Sequence, residues 1–270
     1  MFSFKELIKK KNAPLVMGIL NITPDSFSDG GEANSLSSAL ERLNKLYECG
    51  ADIIDIGACS TAPNNKMVSV EEELKRLLLL PELVKNSGVP LSIDTFRPEV
   101  AKYALENGVS VVNDESGAFN PHMAEVVKSH NAGWIFMHTG GKSSKEIAKY
   151  ENGVVEDALS FFEYMKNKAV AFGINEDELC FDCGIGFGKS RSDDIALLKN
   201  CKKLSEYSPL LIGVSRKRVI GELIGEKNPK DRVAGSVAAA LICATNGAGV
   251  LRVHDVKETV DALKVASILY

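Results

Sequence analysis

No apolar run in this sequence approaches the roughly 18 residues of a membrane-spanning helix, so no membrane partner is expected. Positive charge is not in excess. The 32 Lys and Arg face 36 Asp and Glu, a formal charge of −4. That balance argues against a broad nucleic-acid surface and leaves a compact anion site possible in principle. Cysteine is sparse, with 6 in 270 residues at positions 49, 59, 180, 183, 201 and 243. Such scatter reads as reduced thiols in a cytoplasmic protein, not a disulfide framework. Cys180 and Cys183 form a CxxC, but no second CxxC or His pair accompanies it, which disfavours a zinc or redox role. The start, MFSFKELIKKKNAP, has three consecutive lysines with no apolar core after them and reads poorly as a signal peptide. Long Pro/Ser-rich linkers, low-complexity segments and internal repeats are also missing. A single domain over 1–270 is expected, with a short N-terminal extension over about 1–13. Hydrophobic residues at 45% and charged residues at 25% describe an ordinary globular chain with enough length for a large core.

What is present is a rhythm of short β-rich runs alternating with amphipathic stretches. Runs are expected at 15–20, 52–56, 91–94, 110–114, 133–137, 179–182, 209–214 and 250–254. Helices are expected near 35–49, from 69, and near 98–106, 121–129, 154–172, 194–204, 231–246 and up to 269. Ser69 followed by Glu72 is a helix-start signature, and Gly50 follows its helix as a C-cap signal. Strands joined this way run parallel, and eight units over this length point to a single α/β domain of the (β/α)8 TIM-barrel class. An open doubly wound sheet is weakened because the first βα turn lacks the GxGxxG fingerprint.

A barrel gathers the residues at the carboxyl ends of its strands into one site. Here those ends read Asn21, Asp55, Asp94, Asn113 with Asp114, His138, Asp182, Ser215-Arg216-Lys217, and Arg252 with His254. A lone strand-end Asp is usually a loop cap; convergence of many on one rim is not. Asp94, Asp182 and Asn113 suit a flat heterocycle with an amidine-like edge, to which Lys217 adds a donor. Arg216, Arg252 and His254 form a cationic group suited to phosphate oxygens. The loop 184–189, GIGFGK, lacks the Walker spacing GxxxxGK[ST]; Phe187 among its glycines suggests an aromatic contact to a ligand.

Several segments resemble the dihydropteroate synthase family: MGILNITPDSFSDGG at 17–31, SIDT at 92–95, VND at 112–114, Met137-His138, DCGIGFGK at 182–189, GVSRK at 213–217 and RVHD at 252–255. They come in the family's order and span nearly the whole chain. The resemblance implies a barrel enzyme of folate synthesis, commonly a homodimer. It would join 6-hydroxymethyl-7,8-dihydropterin diphosphate to 4-aminobenzoate and release pyrophosphate. By the resemblance, Asp94, Asn113, Met137, Asp182 and Lys217 would hold the pterin. Asn21, Arg252 and His254 would hold the pyrophosphate, and Asn21 a Mg²⁺ ion. Phe187, Lys189, Ser215 and Thr61 would lie near the aminobenzoate. Two loops, with Asp25, Ser26 and Phe27 in one and Ser60 and Thr61 in the other, would close over the site. Lys217, Asp94, Arg252 and His254 would carry the catalysis, a dissociative substitution in which the leaving diphosphate gains negative charge and the pterin methylene positive charge.

The resemblance has departures. Residues 57–63 read GACSTAP where the family typically has GGESTRP, so Ala62 stands where an arginine is expected. Arg97 and Lys66 are candidates to compensate. Cys183 replaces a usual proline, and Glu115 follows Asn113-Asp114 where an apolar residue is usual; it reads as a solvated loop charge. Ala62 motivates one alternative, a catalytically weak pterin-binding paralogue. A pterin-dependent methyltransferase is the other, against which the SRK and RVHD segments argue.

Overall fold

Alternation along short strands decides what faces the inside of this molecule. The structure, a computed structural model, describes residues 1–22, 32–59, 68–140 and 147–269, with 32–35 described as helical backbone. The strands are β1 (Leu15–Asn21), β2 (Ile53–Gly57), β3 (Leu91–Asp94), β4 (Val111–Asp114), β5 (Gly133–Met137), β6 (Leu179–Asp182), β7 (Leu210–Ile212) and β8 (Val250–Val253). Each pairs in parallel with the next, and β8 returns to β1 with Leu15 opposite Val250, closing the barrel. Around it run α1 (Phe4–Lys11), α2 (Glu32–Glu48), α3 (Val70–Arg76), α4 (Leu80–Asn86), α5 (Pro98–Glu106), α6 (Pro121–His130), α7 (Val154–Phe172), α8 (Arg191–Lys199), α9 (Cys201–Ser205), α10 (Arg218–Ile224), α11 (Val233–Thr245) and α12 (Val256–Leu269).

Side chains on one face of the strands form a small inner core: Leu15, Met17, Ile53, Val111, Ile135, Cys180, Leu211 and Val250. Those on the other face, among them Val16, Ile54, Ile93, Val112, Trp134 and Phe181, join the helices in a larger outer core. The strand period of two then places a second inner layer two residues further on. Ile53 is followed by Asp55, Val111 by Asn113, Ile135 by Met137, Cys180 by Asp182, Leu211 by Gly213 and Val250 by Arg252. An apolar floor thus lies below a polar mouth at the carboxyl ends of the strands. The same alternation separates the CxxC cysteines: Cys180 belongs to the inner core and Cys183 to the outer.

The segment before β1 closes the other end of the barrel. Ser3 caps α1 by accepting the Glu6 N–H, and Phe4 is 0% exposed against the inner core, with Phe2, Leu7 and Ile8 beside it. Phe2 and Phe4 meet edge to face at 4.8 Å, and Phe2 N–H donates to Asn131 O at 3.0 Å. This stretch is a plug, not a peripheral extension.

Helix boundaries differ from expectation where caps outweigh periodicity. α8 starts at Arg191 because Ser190 and Asp193 form a reciprocal capping box. Lys217, extended at the N-cap, starts α10, a short helix absent from the hydrophobic pattern. Among the described residues no helix is long and apolar enough to cross a membrane. Phe4→Ala is expected to cost about 3–5 kcal/mol, because it opens a cavity beneath a packed floor; urea denaturation would measure it, and a loss below about 1 kcal/mol would contradict the plug.

Candidate active site

Arg252 crosses the mouth from β8 to the strands beyond β1. Its Nε donates to Asp55 Oδ2 at 2.7 Å and its Nη2 to Asp94 Oδ2 at 2.6 Å. Asn113 Nδ2 donates to the same Asp55 oxygen at 3.0 Å, so four strands share one network. Burial pushes the Asp94 carboxyl well above the usual carboxylate range; Arg252 opposes that, while Glu115, Asp55 and Glu73 add to it. For Arg252, burial favours the neutral form, but Asp55 and Asp94 outweigh it and hold the guanidinium charged. The negative potential at Asp94 and Arg252 also corrects Glu115. It is a loop residue, half-buried, whose charge acts on both groups.

Lys217 enters from the N-terminus of α10. Its Nζ donates to Ile185 O at 2.6 Å and lies 4.7 Å from the centre of the Phe187 ring. Burial lowers its pKa, and Asp182 opposes the shift; burial likewise raises Asp182, with Lys217 opposing. Asp182 Oδ1 accepts the Gly184 N–H at 2.7 Å. Gly213 keeps the space between them open: a Cβ there would stand 3.8 Å from Lys217 Nζ and 4.0 Å from Asp182 Oδ2. Gly184 is required for a different reason. Its φ is +64°, and a Cβ would fall 2.0 Å from His138 O.

The loop after β6 is built around Lys189, which corrects its expected role. Lys189 is 2% exposed, and its Nζ donates to His138 O (2.8 Å), Gly184 O (3.0 Å) and Phe187 O (3.3 Å). All three ammonium donors are therefore spent on backbone carbonyls, beneath the surface that Phe187 presents. Burial lowers this lysine to about 8.

Arg216 is also corrected. Its Nε and Nη2 grip Asp255 at 3.0 and 2.5 Å, a bidentate pair that already neutralises much of its charge beside His254. His254 has an exposed side chain, yet partial desolvation of its ring, then Arg216 and Arg252, lower it to about 4. Ser215 Oγ accepts the His254 N–H at 3.1 Å and meets Nδ1 at 3.1 Å. The serine hydrogen is then free for Nδ1, an assignment from the hydrogen-bond network that leaves Nε2 as a donor. Asn21 ends β1 with an exposed side chain, its Oδ1 3.0 Å from where a Gly57 Cβ would sit, and Arg42 Nη1 holds its carbonyl at 2.9 Å. Met137 closes β5, buried, at the edge of the mouth.

The structure thus brings Asn21, Asp94, Asn113, Met137, Asp182, Phe187, Ser215, Lys217, Arg252 and His254 to one end of one barrel. Asp25, Ser26, Phe27, Ser60 and Thr61, with Ala62 and Lys66, lie outside the described residues. Arg97, a candidate to compensate for Ala62, is engaged by Glu73 Oε2 (2.6 Å) and Val68 O (2.6 Å). Asp55, legible as one of the converging polar strand ends but given no ligand role there, belongs to the central network. His138 was legible as polar, but its Nε2 pairs with Asp157 Oδ1 at 2.8 Å, away from the network.

A profile of the pterin binding enzyme family matches residues 17–254. Dihydropteroate synthase of Synechocystis sp. is 40% identical over 94% of this chain and 90% of its own length. That of Escherichia coli is 41% identical over 93% and 90%. The solved dihydropteroate synthase of Xanthomonas albilineans with 4-aminobenzoic acid superposes with a TM-score of 0.88 at 43% identity, over 96% of this chain and 93% of that one. The same enzyme in complex with 7,8-dihydropteroate gives 0.85 at 41%, over 96% and 94%. The chain belongs to the pterin binding enzymes and, within them, to the dihydropteroate synthase family of transferases.

Asp55→Ala leaves Arg252 half unpaired and should lower stability by about 3 kcal/mol, read by urea denaturation; an unchanged midpoint would remove Asp55 from the network. Burial lowers His138 to about 4, and His254, although its side chain is exposed, is shifted the same way by partial desolvation and by Arg216 and Arg252. The unfolded chain takes up protons first as pH falls below about 6.5. Stability carried by the neutral histidines is therefore complete above that pH and is lost as pH falls towards about 4. Denaturation midpoints that stay flat over this window in both the parent and a His254→Gln variant would contradict the assignment.

Proposed function

We propose that the barrel mouth makes 7,8-dihydropteroate from 6-hydroxymethyl-7,8-dihydropterin diphosphate and 4-aminobenzoate. The observation that carries this reading is the polar layer of Asp94, Asn113, Asp182 and Lys217 on the apolar floor of Ile53, Val111, Ile135 and Cys180. A flat heterocycle needs both an apolar surface for its face and acceptors for its edge. Asp182 Oδ2 and Asp94 Oδ1 supply acceptors, Asn113 Oδ1 a third, and Lys217 a donor. Met137 would line the pocket.

Charge favours a dissociative path. As the C–O bond to the diphosphate breaks, positive charge grows on the pterin methylene. The mouth carries Asp55, Asp94, Asp182 and Glu115 against Arg252 and Lys217, so its potential stabilises that cation. Arg252, tied to two carboxylates on the pterin side, has N–H donors remaining for the leaving diphosphate; neutral His254 would donate from Nε2. The aromatic amine then forms the new C–N bond and gives up a proton. Phe187, with Ser215 and Thr61, would place its ring. Exclusion of water matters because water is the competing nucleophile.

A magnesium ion fits this arrangement in one limited way. Among the described residues no group of His, Cys, Asp and Glu could hold a metal by itself. Asn21 offers one neutral, exposed amide oxygen, which suits Mg²⁺ delivered with its diphosphate, since that ion keeps most of its ligands as phosphate and water. When bound, it would neutralise charge on the leaving group.

Two further readings belong here. A homodimer is supported by exposed large apolar residues on three consecutive helices, Leu223 on α10, Ile242 on α11, and Val265 and Ile268 on α12. A cytoplasmic location fits six free cysteines, four of them buried.

Coupled detection of pyrophosphate, with and without 4-aminobenzoate, tests the reaction. Release that depends on 4-aminobenzoate is expected; tight pterin binding without release would indicate the binding paralogue motivated by Ala62. Lys217→Ala should weaken binding of the pterin diphosphate at least tenfold, roughly the loss of one charge-assisted hydrogen bond; unchanged affinity by calorimetry would remove Lys217 from the pocket.

A further inference from the structure

Arg216 stands in a backbone conformation that its residue type does not favour. Its φ is +60°. The other non-glycine residues with positive φ among those described are Asn12 and Asn131, both helix C-caps and of the type that tolerates this region. An arginine there is strained and persists only when its surroundings impose it.

The surroundings are two side chains at the start of α11. Ser236 Oγ accepts the Arg216 N–H at 2.8 Å and donates its own hydrogen to Arg232 O at 2.7 Å. Arg232 Nη1 donates to Arg216 O at 2.9 Å, while its Nε and Nη2 hold Glu226 O (3.0 Å) and Lys227 O (2.5 Å). Both polar groups of the Arg216 peptide backbone are thus gripped from one side. The Arg216 side chain turns to the other side, to Asp255. Glycine would adopt the conformation freely but could not make that pair.

What the grip holds are the neighbours of Arg216. Ser215 sets His254 through two contacts of its Oγ. Lys217 N–H closes the turn on Val214 O at 3.1 Å, and Lys217 Nζ reaches Ile185 O. If Arg216 relaxed to negative φ, the flanking peptides would rotate and both side chains would leave their places. We propose that Arg232 and Ser236 are positioning residues for the reaction, clamping Arg216 in the left-handed conformation so that Ser215 and Lys217 point into the mouth.

The inference rests on the proposed synthesis of dihydropteroate and is tested by a double-mutant cycle. Steady-state kcat/KM for the pterin diphosphate, at saturating 4-aminobenzoate, would be measured for the parent, Ser236→Ala, Arg216→Gly and the double variant, with thermal melts alongside. Ser236→Ala should lower kcat/KM about tenfold in the parent, the equivalent of one lost hydrogen bond. In the Arg216→Gly background, where no clamp is needed, it should cost less than about twofold. Ser236→Thr, which keeps the hydroxyl, should restore activity. Equal losses in both backgrounds, or no loss in the parent, would overturn the clamp. Arg232→Lys, which keeps the charge but not the fork, repeats the cycle and decides the matter if Ser236→Ala does not fold. A parent protein that makes no dihydropteroate would sink the functional reading itself, whereas an active parent with an additive cycle would sink only the clamp.

Discussion

Half-buried Arg252, paired with both Asp55 and Asp94, is the constraint on which the mouth depends. A guanidinium cannot be left unpaired in that position, and two carboxylates cannot be left there without a cation. Each therefore fixes the other across the barrel, and Asn113 is drawn in through the same Asp55 oxygen. The network also sets the electrostatic character of the site. With Asp182 and Glu115 close by, carboxylates outnumber the cations Arg252 and Lys217 among the described residues of the mouth. That balance would suit the proposed reaction, in which positive charge develops on a ring held between them.

The polar mouth depends on the apolar floor below it. The inner core is small, and it is closed from below by Phe4. A heterocycle lying on that floor would be desolvated on one face, which strengthens every charged contact at its edge. The loops outside obey the same economy of polar groups. Lys189 spends its charge on three carbonyls so that a glycine-rich turn can present Phe187, and Arg216 is neutralised by Asp255 so that its neighbours can serve the mouth.

Much of this was legible in the chain. Strands such as 91–94, 133–137 and 179–182 and helices such as 98–106 and 154–172 stand where periodicity and punctuation place them. The polar strand ends were also visible, because a charged residue directly after an apolar run is conspicuous. The partners of those residues were not. Arg252 and Asp55 are 197 positions apart, and Arg216 and Asp255 are 39 apart. Nothing local in the sequence distinguishes an arginine that binds phosphate from one that binds a carboxylate across a barrel. Lys189 is a similar case, since its burial follows from the turn of a loop and not from its neighbours in sequence.

The sequence by itself determined the βα rhythm, the inward-facing period of two and hence which residue types reach the mouth. Those properties are local, set by strand geometry and hydrophobic alternation. The tertiary structure alone decided which charges meet and which are spent before any ligand arrives. It settled that Arg216 is held left-handed by α11. Burial and pairing energies are properties of the closed barrel, because desolvation exists only once the strands have come together around these groups.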